Sequence, residues 1–269
     1  MCEPQVVWEP AFSQFRMWYR GGWGTPVVGV ATSTDGKSFR KDPRSPVFSG
    51  AQPHVFKVPG GQYWLHANQG PSGRNTTIAT STDGYNWTAA TDGVSFEQPD
   101  GVSGGGNRVF WKASSGEWFC LQELGMFGST YQIFLYTSQD GLAWKLENSG
   151  KPVHGLQPAP GAPVSGPSFA SIDGELRPRG PDGRYSLWYH ATNGTGFTPS
   201  DIYHAYSDDL VSWTGIELVL RHTGTDDEFD QAADPHPVIG NDRAFLFFDG
   251  ENNPKSQCHI MSVSAQPVI

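Results

Sequence analysis

An all-β chain built from five similar units is what the 269-residue sequence predicts, and three observations predict it. A Ser-x-Asp turn followed by an aromatic residue recurs along the chain. A polar residue, often before proline, opens an apolar strand 29 to 31 residues ahead of that turn serine in four units and 41 ahead in the fourth unit. Between these two markers every unit carries a strand rich in aromatic side chains.

The opening elements are Glu3-Pro4-Gln5-Val6, Gln52-Pro53-His54-Val55, Asn107-Arg108-Val109-Phe110, Gly166-Pro167-Ser168-Phe169 and Asp234-Pro235-His236-Pro237. The aromatic strands follow as Arg16-Met17-Trp18-Tyr19, Tyr63-Trp64-Leu65-His66, Trp118-Phe119-Cys120-Leu121, Ser186-Leu187-Trp188-Tyr189 and Phe245-Leu246-Phe247-Phe248. A more alternating strand comes next, as in Val28-Gly29-Val30-Ala31 and Ile133-Phe134-Leu135-Tyr136. Short strands of this kind, bounded by Gly and Pro at regular spacing, read as antiparallel sheet, and no window carries a helical period. Five small sheets set radially make a five-bladed β-propeller. The expected blades are residues 1–48, 49–102, 103–160, 161–228 and 229–269 of a single domain, with an insertion around Ile172 to Gly183.

The turns themselves are Ser33-Thr34-Asp35-Gly36 before Phe39, Ser81-Thr82-Asp83-Gly84 before Trp87, Ser138-Gln139-Asp140-Gly141 before Trp144 and Ser207-Asp208-Asp209-Leu210 before Trp213. In the fifth unit only Ser264 remains. An aspartate folds its carboxylate onto backbone amides, glycine accepts a positive φ, and the aromatic packs between sheets. The motif resembles the Asp-box of sialidases with one residue fewer between Asp and Gly. These turns lie away from the axis, so their expected role is to cap and pack blades.

Composition excludes several function classes. With 18 basic against 27 acidic residues the net charge is −9, which disfavours a nucleic-acid backbone or an anionic membrane as partner. No apolar run approaches the roughly 18 residues of a membrane span. Met1-Cys2-Glu3-Pro4 has neither a basic nor an apolar leader segment, so no secretory signal is expected and the cytoplasm is the default location. The three sequons at Asn75, Asn86 and Asn193 then carry no meaning. Cys2, Cys120 and Cys258 are odd in number and far apart, which argues against a disulfide framework or a structural zinc site. The aromatic content suits a carbohydrate partner, and a monomer is expected.

Propeller geometry selects the residues that can meet. The innermost strand of each blade begins at one face of the central tunnel and the second strand ends there. Glu3, Gln52, Asn107, Ser165 with Gly166, and Asp234 therefore form a ring around the axis. Arg20, Asn68, Glu123, His190 and the loop Asp249-Gly250-Glu251 form a second tier. A polar ring in an apolar scaffold is a ligand site, and its carboxylates suit glycoside hydrolysis, which needs an acid and a base or nucleophile flanking the bond. Glu3, Asp234 and Glu123 are the candidate catalytic groups. His54 and His236 stand two residues after ring positions, where strand alternation turns them toward the tunnel. There they bind substrate, bind a metal on the axis, or donate to carbonyls. Trp23 is the candidate for stacking on a sugar ring. The acidic run Asp226-Asp227-Glu228-Phe229-Asp230 is dense in oxygen ligands and could hold calcium, although a solvated loop is the commoner reading. No cofactor is required.

With its Arg16-Met17-Trp18-Tyr19 strand leading to Gly21-Gly22, its Val28-to-Phe39 pattern and its proline-marked blade starts, the sequence resembles the five-bladed propeller glycosidases, glycoside hydrolase families 43, 62, 32, 117 and 130. The resemblance implies a furanosidase-like hydrolase. In family 43 an aspartate before proline in the first blade is the general base, and Glu3 matches that position. The third-blade aspartate that tunes the acid corresponds to Asn107, the fourth-blade glutamate that is the acid corresponds to Ser165, and His236 falls where a fifth-blade histidine is usual. Either Glu3 or Asp234 then activates water while the other, or Glu123, protonates the leaving oxygen, or the chain binds a glycan without cleaving it. Phosphorolysis as in family 130 would need an anion clamp, for which Arg20, His54, Arg108 and His236 are the candidates.

Overall fold

The computed structural model describes residues 1–22, 24–58, 61–69, 75–90, 94–113, 115–126, 131–169, 171–172, 175–176, 183–192, 199–224, 231–240, 243–252 and 257–265. The chain folds as a five-bladed β-propeller. In the first blade β1 (Cys2–Glu9), β2 (Gln14–Gly21), β3 (Val27–Ser33) and β4 (Arg40–Lys41) pair in sequence, and β5 (Phe48–Ser49) returns to β3. The second blade is β6 (Ala51–Lys57), β7 (Tyr63–Gln69), β8 (Asn75–Ser81) and β9 (Thr88–Ala89). The third pairs β10 (Ser95–Phe96) with the outer edge of β11 (Val102–Lys112), β12 (Trp118–Met126), β13 (Tyr131–Ser138) and β14 (Ala143–Leu146). In the fourth, β15 (Val164–Ser168) is followed by a short hairpin, β16 (Ser171–Ile172) and β17 (Glu175–Leu176). That blade then continues with β18 (Tyr185–Thr192), β19 (Ser200–Ser207) and β20 (Trp213–Leu220). The fifth comprises β21 (Gln231–Ile239), β22 (Ala244–Asn252) and β23 (Gln257–Ala265). The inner strands β1, β6, β11, β15 and β21 neighbour one another in that cyclic order, so the ring closes between the first and fifth blades.

Each inner strand carries the same irregularity at its start. Two residues there oppose one on the second strand, at Glu3-Pro4, Gln52-Pro53, Gly106-Asn107, Gly166-Pro167 and Asp234-Pro235. This is a β-bulge, which bends a strand and re-aims a side chain. The first bulge residue adopts positive φ in four blades: Glu3 at 57°, Gln52 at 49°, Gly166 at 60° and Asp234 at 45°. The register corrects the sequence alignment of the ring: Gly106, not Asn107, occupies the third-blade position, and Asn107 stands where the other blades have proline.

Every turn clasps the preceding blade. Ser33, Ser81, Ser138 and Ser207 each accept from the amide three residues on, while Asp35, Asp83, Asp140 and Asp209 each accept from two amides beyond them. A Cβ on Gly36 would meet Phe245 of the fifth blade at 2.6 Å, and one on Gly84 would meet Arg16 and Trp18 of the first at 2.6 and 2.8 Å. The Trp18 indole donates to the Gly84 carbonyl at 3.0 Å. Gly141 lies against Trp64 of the second blade, and Leu210 joins a cluster with Trp111 and Leu121 of the third. The packing role expected of these turns follows directly from this geometry.

Apolar burial is organised by blade boundary. Trp18, Val55 and Leu65 fill the first–second boundary, Phe56, Phe110 and Trp118 the second–third, and Leu121, Phe169 and Tyr189 the third–fourth. Trp8, Met17 and Phe247 fill the fifth–first. Between the fourth and fifth blades the buried cluster is the smallest among the described residues, with Ile202, Ala232, Leu246 and Phe248. Each such side chain contributes about 1.5–3 kcal/mol when withdrawn from water. One expectation about cysteine is overturned: Cys2 and Cys258 form a disulfide between the first and last blades, 256 residues apart. Ring closure brings them together, which linear spacing does not reveal. Cys120 is free and buried.

Replacing a turn aspartate removes two amide partners, at a net cost of about 1 kcal/mol. Asp140→Ala should therefore lower the melting temperature by about 2–4 °C in a scanning-fluorescence melt, whereas Asp208→Ala, beside the fourth turn, should leave it unchanged.

Candidate active site

The bulges point three side chains at the axis and leave two gaps. Glu3, Gln52 and Asp234 project from the first, second and fifth blades, while glycine stands at the bulge in the third and fourth. A Cβ on Gly106 would lie 2.1 Å from the Glu123 carboxylate, and one on Gly166 would lie 2.6 Å from His190 Nδ1 and 2.8 Å from Asp234 Oδ1. The missing side chains thus make room for Glu123 and His190, which come from the second strands. The resulting cavity has a volume of about 240 Å³, and Glu3, Gln52, Asn107, Glu123, Ser165, His190 and Asp234 are among its lining residues.

The three candidate catalytic carboxyls meet in this cavity in different surroundings. Glu3 Oε1 accepts from the Arg20 guanidinium at 3.0 Å, and Oε2 accepts from the Gln52 amide at 2.6 Å. Burial raises its pKa, and Arg20 and that amide counteract the rise. Glu123 Oε2 accepts from the Gly166 amide at 3.0 Å. Burial raises Glu123 as well, against the pull of hydrogen bonds from Ser165, Gly166 and Asn107. No lysine or arginine among the described residues pairs with Asp234. Burial pushes its pKa well above the usual carboxylate range, the charges of Glu3, Glu123 and Glu251 push it further, and the Asn107 side-chain amide, which donates to Oδ1, only moderates the rise. The His190 Nδ1 accepts from the Asp234 backbone amide at 3.1 Å, and burial lowers the His190 pKa to about 4, so the ring is a neutral wall.

A buried chain of polar groups orients Gln52. Arg108, whose pKa burial lowers to about 10, donates to the Asn68 side-chain oxygen. A guanidinium offers no acceptor, so the Asn68 amide nitrogen must face the other way. It donates to Gln52 Oε1 and to the Gly106 carbonyl at 3.3 Å. The Gln52 NH2 is thereby left as a donor on the cavity side.

Several sequence-derived candidates lie elsewhere. Arg108 sits beneath the cavity in this chain. His54 packs among Phe56, His66 and Phe110, and His236 bonds to the Val6 carbonyl at 2.9 Å, both buried below the mouth. The proposed anion clamp of Arg20, His54, Arg108 and His236 therefore does not converge: three members are buried under the floor, and Arg20 is paired with Glu3. Asp249 is wholly buried, with Oδ2 accepting from the Glu3 backbone amide at 2.6 Å, so it braces the bulge and does not line the cavity. Trp23 and the acidic run 226–230 lie outside the described residues. Glu251 of the second tier lines the cavity as expected, and sequence reasoning did not single out Tyr131, Thr192 and Gln231, which also line it. Strand alternation from His190 and Asp249 reaches Thr192 and Glu251.

The carboxyls also make a prediction about stability. The folded pKa of Asp234 lies above its unfolded value of about 4, so its penalty is absent near pH 4 and grows as pH rises through the folded value. Asp234→Asn, which keeps an acceptor for Asn107, should melt at higher temperature than the parent at pH 8. The difference should vanish near pH 4, and calorimetry across that range checks it.

No family model matches the chain, and no curated protein does. Solved structures do. A glycosyl hydrolase from Bacteroides ovatus superposes with a TM-score of 0.70 at 17% identity, covering 99% of this chain and 84% of that one. An endo-arabinase from Bacteroides thetaiotaomicron superposes with a TM-score of 0.67 at 16% identity, covering 100% and 94%. A structure described with the words that the GH130 family of mannoside phosphorylases contains glycoside hydrolases that target β-1,2 mannosidic linkages in Candida mannan gives 0.66 at 17%, covering 99% and 86%. At these identities the likeness is one of fold alone: the chain has the architecture of these solved glycoside hydrolases over nearly its whole length.

Proposed function

We propose that the chain hydrolyses glycosidic bonds, with Glu3 as the base that activates water and Asp234 as the acid that protonates the leaving oxygen. The observation that carries this reading is the contrast between the two carboxyls across one cavity. Glu3 has a guanidinium and an amide that favour its ionised form, whereas Asp234 is crowded by other acids and holds its proton. A pair of carboxyls with separated proton affinities is what acid-base cleavage of a glycoside requires. The charge of Glu123, a group held by three donors, is among those that raise the proton affinity of Asp234. The cavity, below the roughly 300–1,000 Å³ of drug-sized sites, suits one sugar ring, and the Gln52 NH2 suits one of its hydroxyl oxygens. The arabinase among the similar structures supports a furanosidase-like substrate.

A panel of aryl-furanosides and aryl-pyranosides tests this. Glu3→Gln and Asp234→Asn should each cut kcat/KM by about 10²–10⁴-fold while calorimetric affinity for the same sugar persists. Aryl release at the parental rate from both variants would overturn the assignment. Glu251→Gln removes a charge that raises Asp234, so the alkaline limb of the kcat/KM profile should move to lower pH.

A further inference from the structure

Beneath the cavity, ring closure gathers a second group of chemically active side chains. Cys2 from β1, Asp249 from β22 and Cys258 from β23 are all buried, and their ligand atoms lie within 4.8 Å of one another. Ligands on one tetrahedral zinc ion stand about 3.5–4 Å apart. An independent observation concerns Asp249. Its Oδ2 accepts from the Glu3 amide, but Oδ1 is sealed from solvent with no hydrogen-bond partner among the described residues. A buried polar atom without a partner forfeits its hydration with nothing in return. The disulfide beside it offers neither a donor nor a positive charge. A cation bound by the two sulfurs would supply the missing partner.

We propose that, when its disulfide is reduced, the chain binds one zinc ion through Cys2 Sγ, Cys258 Sγ and Asp249 Oδ1. Two thiolates select a borderline-soft divalent ion over calcium or magnesium. The oxidised state described above and the metal-bound state are alternatives that use the same two sulfurs to join the first and last blades. A phosphine converts one into the other. It breaks the S–S bond and takes oxygen from water to become the phosphine oxide. The two electrons it gives up, with the two protons of that water, leave two thiols. Zinc then displaces both thiol protons to solvent as the two Zn–S bonds form. The third cysteine does not compete, because Cys120 is fully buried elsewhere in the third blade.

Cobalt(II) is the probe. The full chain, reduced with a phosphine and given cobalt anaerobically, should take up one ion per molecule with the visible bands of tetrahedral cobalt and a thiolate-to-cobalt charge-transfer band. Zinc should displace it, and the oxidised chain should bind none. Asp249→Asn should weaken affinity by at least about tenfold, Cys258→Ser should abolish the charge-transfer band, and Cys120→Ser should change nothing. Failure of the reduced parent to develop that band overturns the site, as does its persistence in Cys258→Ser. Undiminished affinity in Asp249→Asn removes the carboxylate and with it the three-ligand assignment. None of these readouts depends on hydrolysis, so the metal site and the proposed activity stand or fall separately.

Discussion

The bulge that opens every inner strand is the constraint on which the rest of the molecule depends. Regular strands would alternate their side chains between the two faces of each blade, and no residue would point along the shared axis. The extra residue at Glu3, Gln52 and Asp234 turns one side chain per blade inward, at the cost of a left-handed backbone that non-glycine residues rarely adopt. Such strain persists where surrounding contacts over-determine it. Asp249 supplies one such contact by accepting the Glu3 amide, and His190 supplies another by accepting the Asp234 amide. Glycine at the remaining two bulges is equally consequential, since Glu123 enters the cavity through the space that Gly106 leaves.

Much of this architecture was legible in the sequence because it repeats. The Ser-x-Asp turns and the aromatic strands carry local signals, and local signals survive in one dimension. The bulge register did not. Asn107 looks like a ring residue because it precedes an apolar strand as Glu3 and Gln52 do, and only strand pairing shows that Gly106 holds that place. Roles at depth were equally hidden. His54 and His236 have the right alternation for the tunnel, but burial among Phe56, Phe110 and the strand backbones takes them out of the cavity. The cysteine pair was invisible for a different reason, since its partners meet only because a circle has no ends.

Electrostatically the cavity is built against its own stability. Glu3, Glu123, Asp234 and Glu251 line it and Asp249 lies just below, and burial raises the pKa of every one. Arg20 relieves Glu3 and Glu251, but Glu123, Asp234 and Asp249 are answered by neutral donors. A protein selected for stability alone would replace several of these groups with amides. Their retention in one small volume is the expected signature of a site that trades stability for reactivity.

The clasps described above all point the same way around the ring: the first blade's turn grips the fifth, the second grips the first, the third grips the second and the fourth grips the third. Among the described residues nothing of this kind reaches from the fifth blade to the fourth. That seam has the smallest apolar cluster among the described residues, and polar contacts span it: Ser200 donates to the Ala232 carbonyl at 3.2 Å, His190 accepts from the Asp234 amide at 3.1 Å, and Ser168 Oγ lies 3.4 Å from His236 Nδ1. A propeller with one joint held by polar contacts instead of an interlocking turn does not breathe evenly. Its slow opening should begin there, swinging β21 away from β15, and β21 carries Asp234. The rhythm of that one joint would then set how often the cavity widens.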